Sequence, residues 1–186
     1  MTGGRILSVW RVGLAALVAL AASMGDARAQ QSLEDAVKAT FLYRFGSFAN
    51  WPPSAFADNT TPLVICIAGD AAFAQLVEHS AGAQQIGGRA LSVRRLSIVS
   101  PASGCHILYI ALSSPQAIRD ALQATTGDPV LTVTDARFGS VRGAIHFAQS
   151  EGRVRFHIDR RAAQRNGVTL SSRLLNIAIS VEGAEG

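Results

Sequence analysis

Three apolar runs mark the middle of the chain, and the first of them is uninterrupted. They cover Leu63–Ala68, Cys105–Leu112 and Val130–Val133. An unbroken apolar run of this length is expected of a β-strand that other elements cover on both faces. Such strands belong to parallel sheets, because the connections of a parallel sheet place helices over its faces.

The segments between these runs carry helix and turn signals. Gly69-Asp70 predicts a turn and a cap for a helix that reaches about His79, and Ser114-Pro115 opens a second helix that reaches about Ala124. Another strand is expected over Arg89–Leu96. Strands that alternate with helices predict an α/β domain with a largely parallel sheet.

A further helix is predicted ahead of the first apolar run. Ser32, with Asp35 three residues later, has the form of a capping box. Trp51-Pro52-Pro53 predicts the end of this helix, since proline cannot continue it. Apolar residues recur between these limits at the spacing of one helix face, and we expect that face to pack against the sheet rather than to contact a ligand. These residues are Leu33, Val37, Phe41, Phe45 and Phe48.

The last third of the chain has a different pattern. Ile145–Gln149 and Val154–Ile158 flank a short turn sequence and predict a β-hairpin. Asp159 can cap a short helix that Gly167 stops. The spacing of the remaining apolar residues predicts a final amphipathic helix. Its apolar residues are Leu170, Leu174, Ile177, Ala178 and Val181. The whole pattern predicts one three-layer α/β domain over residues 30–186, with a mostly parallel sheet, helices on both faces and a C-terminal antiparallel hairpin.

Residues 1–29 have the pattern of a secretory signal peptide. Arg5 and Arg11 flank an apolar stretch, Val12–Ala22, and Ala27-Arg28-Ala29 supplies the small residues that a signal peptidase reads. The apolar stretch is shorter than the roughly 20 residues that cross a bilayer. We expect cleavage after Ala29 and a mature protein in the periplasm. An uncleaved membrane anchor is the alternative.

Charge and cysteine content narrow the class of protein. The formal net charge is +4, and the first 29 residues hold three arginines and one aspartate, so the mature chain carries about +2. This charge is too small to predict nucleic-acid binding. Cys66 and Cys105 both remain after cleavage, and in an oxidising compartment an even pair predicts a disulfide. Two buried free thiols are the alternative.

Motifs of catalysis, cofactor binding and metal binding are missing from the sequence. It has no G-x-S-x-G, P-loop, G-x-G-x-x-G or H-E-x-x-H motif, and its four histidines do not have metal-ligand spacing. His106 falls in an apolar run and is expected to be a hydrogen-bonded core residue. We therefore predict no enzyme, no cofactor and no metal site. Gly69-Asp70 follows a buried strand, where open α/β sheets bind ligands, although it is equally explained as a turn and helix cap.

The predicted hairpin offers one unusual surface. In its second strand Arg153, Arg155 and His157 alternate with apolar residues, so they share one face of the sheet. His146 of the first strand can join them. The face is either an ordinary solvated surface or a contact surface for an anion or an acidic partner.

The order of motifs along the mature chain resembles the YfiR family of periplasmic proteins, which carry a DUF4154-type domain. The resemblance covers nearly the whole mature chain. The matching segments are Val37–Phe45 running into Asn50-Trp51-Pro52, Val64–Asp70, Gly88-Arg89, Cys105–Ile110, Leu131–Asp135, Gly143–Phe147, Val154–Phe156 and Ser171–Leu175.

This resemblance implies a non-catalytic repressor, often a homodimer. Such a repressor binds the periplasmic domain of an inner-membrane diguanylate cyclase, and an outer-membrane lipoprotein can sequester it, which raises cyclic di-GMP and promotes biofilm growth. The family's bridging cysteines fall on Cys66 and Cys105, whereas a second cysteine pair found in some relatives is absent. The family often has an acidic residue where His157 stands and asparagine where Asp159 stands.

From the hairpin surface and the resemblance we predict a partner-binding region. Its residues are Phe147, Arg155, His157, Asp159 and Arg173. The partner is expected to be a diguanylate cyclase or a sensor kinase. The rival hypothesis is a small-ligand-binding protein that takes an anionic metabolite, either near Gly69-Asp70 or on the Arg155/His157 face.

Overall fold

The structure is a computed structural model that describes residues 29–183. The predicted signal peptide up to residue 28 and the last three residues of the chain therefore lie outside the described residues. The chain divides into a unit of residues 1–35, described and helical over 29–35, and a unit of residues 36–186, described through residue 183. The sheet and both cores belong to the second unit.

The elements in chain order are α1 (29–44), β1 (Ala49–Asn50), β2 (Leu63–Ala68), α2 (Ala71–Ala81), β3 (Gln85–Ile86), β4 (Arg89–Leu96), β5 (Ile107–Ile110), α3 (Pro115–Ala124), β6 (Leu131–Asp135), β7 (Ile145–Ser150), β8 (Arg153–Asp159), α4 (Arg160–Arg165), β9 (Thr169–Leu170), α5 (Ser172–Leu175) and β10 (Ser180–Glu182). Three short 3-10 helices cover Phe45–Phe48, Pro53–Ala55 and Ala136–Phe138.

Eight strands form one mostly parallel sheet. Their order is β10-β8-β7-β6-β5-β2-β4-β3. The neighbouring pairs from β4 to β7 are parallel, β10 is parallel to β8, and β7 with β8 and β3 with β4 are antiparallel. β1 and β9 form a separate two-stranded antiparallel pair. This topology confirms the predicted α/β fold with its C-terminal antiparallel hairpin.

Alternate residues of the central strands supply two cores, one on each face of the sheet. On β2, Ile65 and Ile67 join the larger cluster with residues of α1 and α2, such as Leu42 and Val77. The other face of the sheet packs against α3, whose buried residues are Ile118 and Ala121. Helices thus cover both faces, as predicted.

The disulfide links β2 to the residue just ahead of β5. Cys66 and Cys105 are bonded, with their Cα atoms 5.7 Å apart. Cys66 is fully buried, and both cysteines belong to the smaller core. The structure confirms the predicted bridge.

The predicted limits of the first helix are wrong at both ends. α1 is already helical at residue 29, ahead of Ser32, because Ala29, Gln30 and Gln31 are compatible with a helix. It ends at residue 44 rather than near Trp51, since the Phe45–Phe48 segment is a 3-10 turn. This segment contains Gly and Ser, whose helix propensities are lower than that of alanine.

The aromatic stripe lies partly in α1 and partly in this turn. Phe45 is 1% exposed and its ring lies 5.6 Å from that of Phe147 and 5.3 Å from that of Phe156. Phe41 and Phe48 are half-buried against the same core. The expected packing against the sheet is therefore confirmed for the aromatic residues. For the two aliphatic residues the expectation of burial is wrong, since Leu33 is 60% exposed and Val37 is 36% exposed.

The predicted final amphipathic helix is also wrong. Its residues are divided among β9, the single-turn helix α5 and the strand β10, which pairs with β8. Ile177, Ile179 and Val181 alternate with smaller residues, and β-branched residues at a period of two favour a strand. The same segment also shows helical spacing at Leu170, Leu174 and Ile177, and this spacing hides the alternation.

Candidate interaction surface

One face of the C-terminal hairpin collects polar and charged side chains. Arg155 and His157 of β8 lie in register with residues of β7 and β10, and Ser180 of β10 stands beside His157. Glu182 of β10 and Arg142, from the loop before β7, complete the group through an ion pair of 3.2 Å. We call these five residues the hairpin face. The face exists because side chains of the same parity on neighbouring strands point to the same side of a sheet.

His157 is held by a neighbour rather than free on the surface. Its Nδ1 lies 2.7 Å from the Ser180 hydroxyl oxygen. Partial burial lowers the pKa of His157 below its usual value, the positive charge of Arg142 lowers it further, and Glu182 opposes both effects. The neutral imidazole is therefore favoured, and the charge of this face at neutral pH comes mainly from arginine.

A second histidine lies below this face. His146 is 4% exposed, its Nδ1 is 2.8 Å from the Thr134 hydroxyl oxygen, and its ring centre is 6.5 Å from that of His157. Burial lowers the pKa of His146 to about 4, with a smaller contribution from Arg142. The expectation that His146 joins the polar side of the hairpin agrees with this position, but the residue is covered.

The structure distributes the five predicted partner-binding residues over three environments. Arg155 is exposed, and its Nη2 donates to the Ile177 carbonyl at 3.4 Å. Asp159 shares the parity of Arg155 and His157, but its carboxylate accepts from the Ala162 amide at 2.9 Å and caps α4. Phe147 is fully buried on the opposite face of the sheet, so it can only support the hairpin from beneath.

Arg173 lies outside this group. It is exposed on α5. Among the described residues, no hydrogen bond or ion pair joins Arg173 to the hairpin face. The structure therefore brings together Arg155, His157 and Asp159 and leaves the other two predicted residues apart from them.

Two exposed isoleucines lie in the segment beside β8 and were not predicted as site residues. Ile177 is 49% exposed and Ile179 is 40% exposed. Their segment runs beside β8, since the Ile179 amide donates to the Phe156 carbonyl at 2.8 Å. The surface was missed because this segment was predicted to be part of the final helix. The alternation of Ile177, Ile179 and Val181 is the sequence signal that could have indicated a strand here.

A buried ion pair on the other face of the sheet was also missed. The Lys38 ammonium lies 2.7 Å from Oδ2 of Asp135, and both side chains are at most 2% exposed. The Tyr109 hydroxyl donates to the same oxygen at 2.9 Å. Burial and the adjacent Asp135 charge raise the pKa of Tyr109 far above its usual value, so the phenol keeps its proton. The pair attaches α1 to the ends of β5 and β6.

The predicted ligand turn borders an open cleft. Asp70 caps α2 by accepting from the Phe73 amide at 2.8 Å, and its other oxygen pairs with Arg137 at 3.4 Å. Gly69 has a φ of 99°, and a side chain there would collide with the Ala111 carbonyl. The cleft has a volume of about 760 Å³ and lies between this turn and the end of β4, where Arg94 and Arg95 line it. The turn is thus a helix cap beside a cavity.

Over residues 29–183, no group of three or more His, Cys, Asp or Glu side chains is placed to hold a metal ion. Within the same range, no helix is both long and apolar enough to cross a membrane.

Comparison with known protein families gives a match over most of the chain. The sequence profile of the family described as YfiR/HmsC-like, DUF4154, matches residues 35–179 of the 186. The matched range contains both cysteines, the buried ion pair and the β7–β8 hairpin. No curated protein matches the chain.

Proposed function

The chain belongs to the YfiR/HmsC-like family, and from this premise we propose that it is a periplasmic, non-catalytic regulator of cyclic di-GMP signalling. It represses a membrane-bound diguanylate cyclase or sensor kinase by binding that protein's periplasmic domain. Release of the repressor, for example by an outer-membrane lipoprotein that sequesters it, raises cyclic di-GMP and promotes biofilm growth. The family match carries this proposal, and the export pattern of residues 1–29 and the disulfide support the compartment.

The hairpin face and its border support a role in protein contact. Arg153 and Arg155 are exposed and basic, and Arg155 donates to the carbonyl of Ile177, an exposed apolar residue. Arginine is enriched in protein interfaces because its guanidinium forms fixed bonds with carboxylates while its stem packs against apolar groups. We infer a partner surface that presents a carboxylate opposite Arg155 and an apolar side chain opposite Ile177.

The test reverses one charge at this surface. Arg155→Glu should weaken binding of a candidate cyclase or kinase periplasmic domain about tenfold or more, because it slows encounter and places two acids opposite each other. Arg119→Glu is the matched control, since Arg119 is an exposed arginine on α3 whose hydrogen bonds within the described residues go to Gln116 of its own helix. Affinity is measured by calorimetry and folding by circular dichroism, and cells that carry each variant are assayed for cyclic di-GMP.

The outcomes separate the surface from the function. Equal affinity for the Arg155→Glu variant and the wild type, with both folded, would remove the hairpin face from the mechanism. A gene deletion that leaves cyclic di-GMP unchanged, together with a pull-down from membranes that recovers no cyclase or kinase, would refute the regulatory function itself. A homodimer remains a prediction, which sedimentation of the mature protein tests.

The cleft beside Asp70 favours a second candidate function. Arg94 and Arg95 line a cavity of about 760 Å³ at the carboxyl ends of two parallel strands, the position where open α/β sheets bind ligands. A periplasmic protein that binds an anionic metabolite would fit this cleft. A thermal-shift screen of such metabolites tests it, because a ligand at 100 times its dissociation constant stabilises a protein by about 2.7 kcal/mol.

A further inference from the structure

The sheet has a free edge far from the hairpin. β3 pairs with β4 only at Arg89 and Ala90, whereas β2 pairs with β4 from Leu91 to Leu96 on the inner side. No strand within residues 29–183 pairs with the outer side of Leu91–Leu96. These six residues form an edge roughly 20 Å long.

All but one of the usual obstacles to strand pairing are missing from this edge. Natural edge strands are blocked by proline, by bulges, by short length or by charged side chains. The register between β2 and β4 is continuous, and the segment Leu91–Leu96 contains neither proline nor glycine. Only charge remains as a block, in the form of Arg94 and Arg95, so the edge can accept a strand that complements those two arginines.

The two arginines lie on opposite faces of the strand and differ in their contacts. Arg94 is fixed, because it donates to the Ser103 carbonyl and its Nη2 lies 3.7 Å from the sulfur of Cys66. Arg95 is exposed, and within the described residues no hydrogen bond or ion pair engages its guanidinium. Arg95 is therefore a cation available to an incoming carboxylate.

The end of β4 extends the same surface. The cleft of about 760 Å³ is lined by Arg95, Leu96 and Ser97, and Ile98, just beyond the strand, is 80% exposed. A strand that continued past Leu96 would find an apolar contact at Ile98 and room for a side chain in the cleft. A second copy of this chain fits poorly, because pairing β4 with β4 would crowd four arginines along the new seam.

We propose that the outer edge of β4 binds an extended, acidic segment of a partner protein by strand addition. Backbone hydrogen bonds with Leu91–Leu96 supply the pairing. Acidic residues at alternate positions of the segment share one face, and on that face they meet Arg95. This surface lies at the other side of the sheet from the hairpin face and needs no contribution from it.

The experiment uses a labelled peptide of alternating valine and glutamate, as long as the free edge. Its binding to the mature, disulfide-bonded protein is measured by fluorescence anisotropy. Hydrogen exchange should show added protection of the β4 amides on the outer side. Arg95→Glu should weaken binding about three- to tenfold, because it converts an attractive cross-strand pair into a repulsive one. Arg119→Glu, on α3, should bind the peptide as the wild type does.

Two control peptides isolate the backbone and the charge. An acidic peptide whose central amides are N-methylated keeps its charge but cannot complete the ladder, so it should lose binding. A peptide of alternating valine and lysine should bind the Arg95→Glu variant better than the wild type. Failure of the acidic peptide to bind, equal binding of its N-methylated form, or protection elsewhere than β4 would overturn the proposal. None of these results depends on the partner of the hairpin face.

Discussion

At the scale of single residues, the interior of the protein depends on polar groups that satisfy one another. Asp135 accepts from Lys38 and Tyr109 through one oxygen and from the Arg137 amide through the other, at 2.9 Å. Among the described residues, no buried side-chain nitrogen or oxygen lacks a hydrogen-bond partner. Removal of one member therefore leaves a charge buried without compensation, which costs more than the pair itself contributes.

The first prediction concerns this ion pair. Lys38→Met should lower the free energy of unfolding by about 3 to 5 kcal/mol, because Asp135 stays buried without its cation. The double variant Lys38→Met/Asp135→Asn should recover part of that loss, since asparagine is neutral and can still accept from Tyr109. Chemical denaturation measures both values. A double variant less stable than Lys38→Met would contradict this assignment.

The second prediction concerns buried histidines and pH. His106 Nδ1 accepts from the Val64 amide at 3.0 Å and Nε2 faces the Ala55 carbonyl at 3.0 Å, so the neutral ring satisfies both partners. Burial lowers the pKa of His106 and lowers that of His146 to about 4. At acidic pH these two histidines therefore bind more protons in the unfolded chain than in the folded chain. The contribution of these histidines to the free energy of unfolding should be fully present above about pH 6.5 and should be lost as the pH falls from 6.5 toward 4.

Urea denaturation at a series of pH values measures this effect. His146→Asn should reduce the slope of stability against pH by at most about 1.4 kcal/mol per pH unit, the value for one proton. His79→Asn removes an exposed histidine of α2 and controls for the substitution. An identical slope in the wild type and the His146→Asn variant would show that His146 titrates normally.

Local sequence could predict only part of this residue-level picture. His106 was expected to be a hydrogen-bonded core residue because it falls in an apolar strand, and its two hydrogen bonds confirm that expectation. The Lys38–Asp135 pair could not be predicted, because the two residues are distant in the sequence and meet only through the packing of α1 on β6. Predicting the pair would have required the tertiary contact between α1 and β6.

At the scale of elements, the strongest predictions came from segments whose role is fixed by burial on both faces. The strands β2, β5 and β6 fall in the apolar runs of the sequence. The helices α2 and α3 begin at the predicted caps, Asp70 and Ser114. The failures fall where the chain is only half-buried. In residues 170–181 apolar positions fit both a helix and a strand, and pairing of β10 with β8 decides between them.

The third prediction concerns the disulfide between β2 and the start of β5. The bridge closes a segment with a sequence separation of 39 residues. In the chain-entropy model, opening a loop of about that size costs roughly 4 kcal/mol, because the reduced unfolded chain gains freedom. The free energy of unfolding of the Cys66→Ala/Cys105→Ala variant should therefore be lower by about that amount, with a lower denaturant midpoint. Wild-type protein under reducing conditions is the control, and equal stability of the oxidised and reduced forms would contradict the prediction.

At the scale of the whole molecule, the two edges of the sheet are unlike each other. The β10 edge carries a three-residue strand, next to the exposed isoleucines and the hairpin face. The β4 edge offers six residues, two of them arginines, whose outer side pairs with no strand of residues 29–183. The parallel strands between the two edges are covered on both faces, so we expect contacts with other proteins at the sides of the sheet. A regulator that binds one protein and is sequestered by another could use the two sides separately.

The last prediction concerns export of the whole molecule. The buried residues of α1 begin at Lys38, so cleavage after Ala29 would leave the core intact with Gln30 as the first residue. Protein from an osmotic-shock fraction should therefore begin at Gln30 and contain the Cys66–Cys105 bridge, as intact mass before and after reduction can show. Replacing Ala27 and Ala29 with leucine should block processing and hold the protein at the membrane, because signal peptidase requires small residues there. Full-length protein in the soluble periplasmic fraction would contradict the signal-peptide assignment, while the stability of the isolated 30–186 chain would still test the domain.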